Sequence, residues 1–211
     1  GGLEVTTSST NLQALTDALL YLVRYPYECA EQRASRIMGI VALKDVLAAF
    51  KTADLPSPAV MEGSVLSDVE RISQMQNYDG GFAFWERGRP SEPYLTVYVT
   101  NALVRAKAKG FVIKPGIIER AQNYLRNIEN YYPHYYGPEI RQTISSFALH
   151  TRKLMGDVDI AKAQRIYREY SGPTKMNMEA LAWLLGTMAG DAKAATERQQ
   201  IVRHAINKVS E

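Results

Sequence analysis

The chain's single cysteine, Cys29, stands three residues before Gln32 in the stretch Tyr25-Pro26-Tyr27-Glu28-Cys29-Ala30-Glu31-Gln32. On a helix, side chains three apart share a face, with Cβ atoms about 5–6 Å from one another. A thiol held beside a side-chain carboxamide can form an internal thioester: sulfur bonds to the carboxamide carbon and ammonia leaves. The product is a stored electrophile. The plainer alternative is a small buried hydrophobe, since a free cysteine near a helix start is inert unless its pKa is depressed. Cys29 taken alone reads as the inert kind.

The surrounding periodicity places the pair. Leu12, Leu15, Leu19 and Leu22 recur at helical spacing, with Thr10 or Asn11 as the expected N-cap after a polar, extended Gly1–Thr10. Pro26 stops that helix. Ala30, Ala34, Ile37 and Val41 resume the period, so Cys29 falls in or just before the first turn of a second helix running to Phe50. Ile37, Met38, Ile40, Val41, Leu43, Val46 and Leu47 cover more than one face, the pattern of a helix buried on most sides.

Asp54–Pro58 is a break, and a third helix spans Ala59–Met75. The run Asn77-Tyr78-Asp79-Gly80-Gly81 is a turn, with Asp79 bonding nearby amides. A fourth helix carries Leu95, Val99, Ala102 and Ala106 and closes at Gly110. Pro115 is expected to open a fifth. After an aromatic loop, Tyr131–Pro138, helices follow at Glu139–Leu154, Ile160–Tyr170, Met176–Ala189 and Ala195–Val209. No strand alternation is present, so the fold class is all-α, about nine helices in hairpins repeating every 35–50 residues or so. Trp85 and Trp183 are expected in the core, with Tyr131, Tyr132, Tyr135 and Tyr136 covering a loop end.

Cys29-Ala30-Glu31-Gln32 resembles the Cys-x-Glu-Gln thioester motif of the α2-macroglobulin and complement family. The Tyr-Pro-Tyr prefix resembles the bacterial α2-macroglobulins in particular, and the likeness extends from Tyr25 to Arg36. Glu28 departs from it, standing where glycine is commoner. Downstream, Gln76-Asn77-Tyr78-Asp79-Gly80-Gly81-Phe82 followed by Trp85 resembles the turn motif of α/α-toroid domains, and Leu95-Thr96-Val97-Tyr98-Val99 resembles a helix of thioester domains. These matches together reverse the inert reading of Cys29.

The resemblance implies an α/α-toroid built as a helical hairpin array, with residues 1–211 a single thioester domain that starts at its natural N-terminus and is truncated at its C-terminus. It implies a covalent protease trap rather than an enzyme. A protease cuts a bait elsewhere in the protein, and a lysine amine of that protease then attacks the Gln32 carbonyl and frees the Cys29 thiol. Partners are the target proteases and the protein's other domains, in the periplasm or at the cell surface. Glu31 either caps the first turn at the positive end of the helix dipole or aligns Gln32. Tyr25 and Tyr27 either keep water from the thioester or staple the helix entry. In the complement branch a histidine from a later helix redirects the reaction toward hydroxyls. Carried forward without gaps from Leu95–Val99, that position falls at Gln142, with His134 and His150 eight residues to either side.

Composition narrows the rivals. The net charge of +3 carries no Lys/Arg run interleaved with aromatics, so nucleic acid is not implied. No apolar run approaches the ~20 residues of a membrane span, so direct membrane contact is not expected. His134, His150 and His204 are scattered without ligand spacing, so neither a metal nor another cofactor is called for. An isoprenoid-type α/α-toroid enzyme would need an Asp-rich metal motif such as Asp-Asp-x-x-Asp, which is missing. A non-covalent helical-repeat module with an inert Cys29 is the remaining alternative.

Overall fold

Residues 18 and 20–22 are helical, and eight longer helices follow them in the computed structural model, which describes residues 18, 20–22, 28–49 and 57–209. They are α1 (Ala30–Ala49), α2 (Pro58–Met75), α3 (Pro93–Ala108), α4 (Ile117–Arg126), α5 (Pro138–Leu154), α6 (Ile160–Glu169), α7 (Met178–Met188) and α8 (Ala195–Val209). Among the described residues there is no strand, only two isolated bridges, Gln76–Phe82 and Arg87–Arg89. The chain is all-α. The readings placed on Thr10, Asn11, Tyr25, Pro26 and Tyr27 lie outside the described residues.

Local chemistry sets the helix ends. Pro58, Pro93 and Pro138 open their helices, where a missing N–H costs nothing. The side chains of Ser57, Asp159 and Asn177 accept from the N–H groups of Val60, Lys162 and Ala180, capping α2, α6 and α7. Gly110, at φ +90°, follows α3 as expected. The expectation that Pro115 is the first residue of a helix fails. Gly116 sits at φ +84°, so α4 starts only at Ile117, and Pro115 belongs to the turn closed by the Ile117 N–H on the Lys114 carbonyl.

The helices form two rows. In the inner row α1 packs on α3, α3 on α5 and α5 on α7; α2, α4, α6 and α8 pack outside it. The outer α4 buries Ile117, Ile118, Ala121, Tyr124 and Leu125, one face of a helix. The inner α3 and α5 are buried almost all round, including Thr96, Thr100, Asn101, Ser145, Ser146 and Thr151. Such polar groups need partners inside the protein. Asn101 Nδ2 reaches Thr151 Oγ1 at 3.1 Å, and Thr100 Oγ1 donates to the Thr96 carbonyl at 2.6 Å.

Neighbouring inner helices run parallel. Ser35 Oγ meets Tyr98 Oη at 2.9 Å, each six residues past the residue preceding its helix, Cys29 and Glu92. Thr143, in the second turn of α5, accepts from the side chain of Asn177, the cap of α7. The N-termini of the inner helices therefore share one end of the molecule. Inner helices recur at the expected interval from Pro93 onward and more widely before it, where the Gln76–Glu92 segment intervenes. Trp85 lies in that segment and is 64% exposed, contrary to the core position expected for it; Phe82, three residues earlier, takes the buried place. Trp183 is half-buried and stacks on Phe147.

Candidate functional site

Cys29 is buried and immediately precedes α1, and its carbonyl accepts the Arg33 N–H at 3.0 Å, which makes it the N-cap residue. Gln32 is the third residue of the helix. Its Oε1 accepts the Cys29 N–H at 3.1 Å, the returning half of a capping box. A helix start leaves four N–H groups without intrahelical partners. The Ala30 N–H is also answered, by the Phe84 carbonyl at 2.7 Å. An N–H on the Gln32 oxygen draws electron density from its carbonyl carbon, the atom that a nucleophile would attack.

The turn between α2 and α3 delivers Phe84 to this place. Asp79 Oδ1 accepts from the Gly81 N–H and from Ser91 Oγ, both at 2.9 Å, as the sequence led us to expect of a turn aspartate. Asn77 spans the loop mouth, with Nδ2 on the Arg89 carbonyl and Oδ1 on the Gly88 N–H. Gln76 donates to the carbonyls of Gly80 and Ile117 and accepts from Arg120. Gly80, at φ +88°, lies so near the Arg120 carbonyl that a Cβ would come within 2.2 Å of it. Only glycine serves there.

Beneath Cys29 lies a charge network that sequence reasoning missed. Asp68, on α2, is 1% exposed and accepts from Arg33 Nη1 at 2.8 Å and from Arg36 Nε and Nη2 at 2.6 Å. Arg33 also donates through Nε to the Glu28 carbonyl at 3.0 Å and through Nη2 to the Glu28 carboxylate. Hydrogen bonding to Asp68 is the main cause raising the pKa of Arg36 against the burial that lowers it. The legible signal was Arg33 and Arg36, three apart on a helix that otherwise reads as buried.

Glu31 accepts from Ser35 Oγ at 2.9 Å, one turn along the helix, and Ser35 is joined to Tyr98. From Tyr98 a run of rings crosses the inner row: Tyr94 stacks on Tyr98, tilts against Phe147, and Phe147 stacks on Trp183. Burial is the chief cause raising the Tyr94 pKa, with the carboxylates of Glu179 and Glu31 adding to it.

Gln142 is on α5, the third helix of the inner row counting from α1. It is 4% exposed, and its Oε1 is buried without a partner. It lines an open cleft of about 750 Å³ with Glu139, Asn177, Met178 and His204. His134 is exposed in the aromatic loop, where it meets Tyr135 edge-on. His150 lies on α5 against Trp183, its pKa lowered first by burial and then by Arg105 and Lys153. Among the described residues no three His, Cys, Asp or Glu side chains are grouped to hold a metal ion, and no helix is long and apolar enough to cross a membrane.

Comparison with known proteins gives a consistent result. The sequence family described as the A-macroglobulin TED domain matches residues 4–132, more than half of the chain. Alpha-2-macroglobulin of Escherichia coli strain K12 is 33% identical over 104 residues, 49% of this chain and 6% of that protein's length. The crystal structure of Salmonella alpha-2-macroglobulin reacted with methylamine superposes with a TM-score of 0.74 at 23% identity, over 92% of this chain and 13% of that one. Trypsin-activated alpha-2-macroglobulin from Escherichia coli superposes at 0.70 and 23% identity, over 85% and 13% respectively. The two structural likenesses establish the fold, and this chain spans a small fraction of the length of each protein it matches.

Proposed function

Because the chain belongs to the A-macroglobulin TED domain family, we propose that Cys29 and Gln32 form an internal thioester and that the domain traps attacking proteases covalently. The observation that carries this reading is the placement of the Gln32 carboxamide on the Cys29 N–H, across one turn, within the Cys-Ala-Glu-Gln motif. Ring closure bonds Cys29 sulfur to the Gln32 carboxamide carbon and releases ammonia. A lysine amine then attacks the same carbon, an amide forms, and the thiol leaves with the proton given up by the amine. The Cys29 N–H stabilises the oxyanion in both steps. The domain consumes itself in one event and is not an enzyme with turnover.

Support comes from relatives as well. The Salmonella protein reacts with methylamine and the Escherichia coli protein is activated by trypsin, an amine and a protease being the two reactants this reading requires. In this account the inner and outer helix rows are an arc of an α/α-toroid, Glu31 holds the first turn through Ser35, and Tyr25 and Tyr27 keep water from the bond. The protein works in the periplasm or at the cell surface, with its bait and shielding domains elsewhere in its length. The test is conjugation. Full-length protein treated with trypsin yields a complex stable to boiling and reduction, and Cys29→Ala and Gln32→Ala each abolish it. A complex of equal yield in both variants would contradict the proposal.

A further inference from the structure

Resting on the thioester reading, we infer that Arg33 is the positioning residue for acyl transfer at Gln32, acting through the peptide bond that joins Glu28 to Cys29. That one peptide unit is held at both ends. Its N–H donates to Gln32 Oε1 at 3.1 Å, and its carbonyl accepts from Arg33 Nε at 3.0 Å. The peptide is planar, so fixing the carbonyl fixes the direction of the N–H. A guanidinium on the carbonyl oxygen also polarises the unit and strengthens the N–H as a donor. The negative charge that develops on Gln32 Oε1 during ring closure and during amine attack meets that strengthened donor.

Arg33 is itself held firmly. It is 6% exposed, with Nη1 on the buried Asp68 carboxylate and Nη2 on the carboxylate of Glu28. The planar fork spans three acceptors at once, a geometry that a lysine ammonium cannot reproduce. Glu28 and Arg33 thus form one device: the carboxylate fastens the guanidinium, and the guanidinium orients the peptide.

The experiment compares wild type, Arg33→Lys and Glu28→Gln in the full-length protein. The readouts are the fraction of chains lacking the mass of one ammonia, the methylamine rate per thioester, and the thermal midpoint. Arg33→Lys keeps a cation for Asp68 and slows methylamine attack about tenfold, less than the 10²–10³ that loss of a whole oxyanion donor costs. Ring closure slows with it, while the midpoint moves by only a few degrees. Glu28→Gln changes a half-exposed side chain that folding tolerates. It slows the reaction about threefold, in keeping with one partly solvated charge contact. Unchanged methylamine rates in both variants would overturn the role of Arg33 while leaving the thioester standing. Wild-type protein with no ammonia deficit would overturn the reading beneath it.

Discussion

The Cys29 N–H and the Gln32 Oε1 are 3.1 Å apart across the first turn of α1, so one carboxamide both caps a helix and presents its carbonyl to a thiol-bearing residue. Capping needs only an acceptor at that position, and glutamate serves as well as glutamine. Thioester formation needs the amide, since ammonia is what leaves. Gln32→Glu therefore separates the two roles. Stability changes by less than about 0.5 kcal/mol, the scale of a neutral surface substitution, while methylamine uptake is abolished. Denaturant melts and adduct mass measure both. Uptake surviving in the variant would show that Gln32 is not the acyl donor.

Asp68 is the hub beneath that turn. It is 1% exposed and compensates two arginines that are themselves buried, so its loss leaves both with only the half-exposed Glu28 carboxylate. Asp68→Ala is expected to destabilise by about 3–5 kcal/mol, the cost of removing one partner from a buried charge pair. Urea denaturation measures this directly, and a loss below 1 kcal/mol, about that of an exposed pair, would contradict the burial of the network.

Acid stability should report on Asp157. Hydrogen bonding from Arg152 is the largest cause holding its carboxyl well below the usual carboxylate range, with Arg126 adding to it. A folded pKa below the unfolded value of about 3.9 gives stability that is full above about pH 5 and lost as the pH falls through that value toward the folded one. Asp157→Asn should accordingly be less stable than wild type at neutral pH, with the difference shrinking on acidification. A difference constant from about pH 7 to pH 3 would contradict this linkage.

Nucleophile choice follows from Gln142, if the position carried forward from Leu95–Val99 is the one where the complement branch has its histidine. A carboxamide cannot supply the nucleophilic and basic work of an imidazole. Activated full-length protein is expected to take methylamine in preference to glycerol, and Gln142→His to raise ester formation with glycerol. Efficient glycerol incorporation in wild type, abolished by His134→Ala, would place the role at His134 instead.

Much of this was legible in the sequence because it was local. The helix type, the Gly110 stop and the Asp79 turn follow from residues within a few positions of one another. That Cys29 and Gln32 meet follows from their spacing across one turn, whereas reading them as a thioester pair rests on the resemblance of the whole Tyr25–Arg36 stretch. Arg33 and Arg36 were legible as cations on a buried helix, but their partner was not, because Asp68 is 35 residues from Arg33 and nothing in a helical period says which helix face meets which. The Phe84 carbonyl that answers the Ala30 N–H is equally remote, being a backbone group delivered by a turn. Trp85 misled for the opposite reason: its composition suggests burial, whereas its place in the loop leaves it in solvent.

The most direct test of the thioester is intact mass before and after methylamine, on full-length protein, with a thiol label in parallel. An intact thioester gives a starting mass short by one ammonia and no labelling at Cys29. After treatment one methylamine is expected on Gln32 and one labelled thiol on Cys29, in equal amounts. A full starting mass with Cys29 already labelled, and no adduct afterwards, would contradict the thioester.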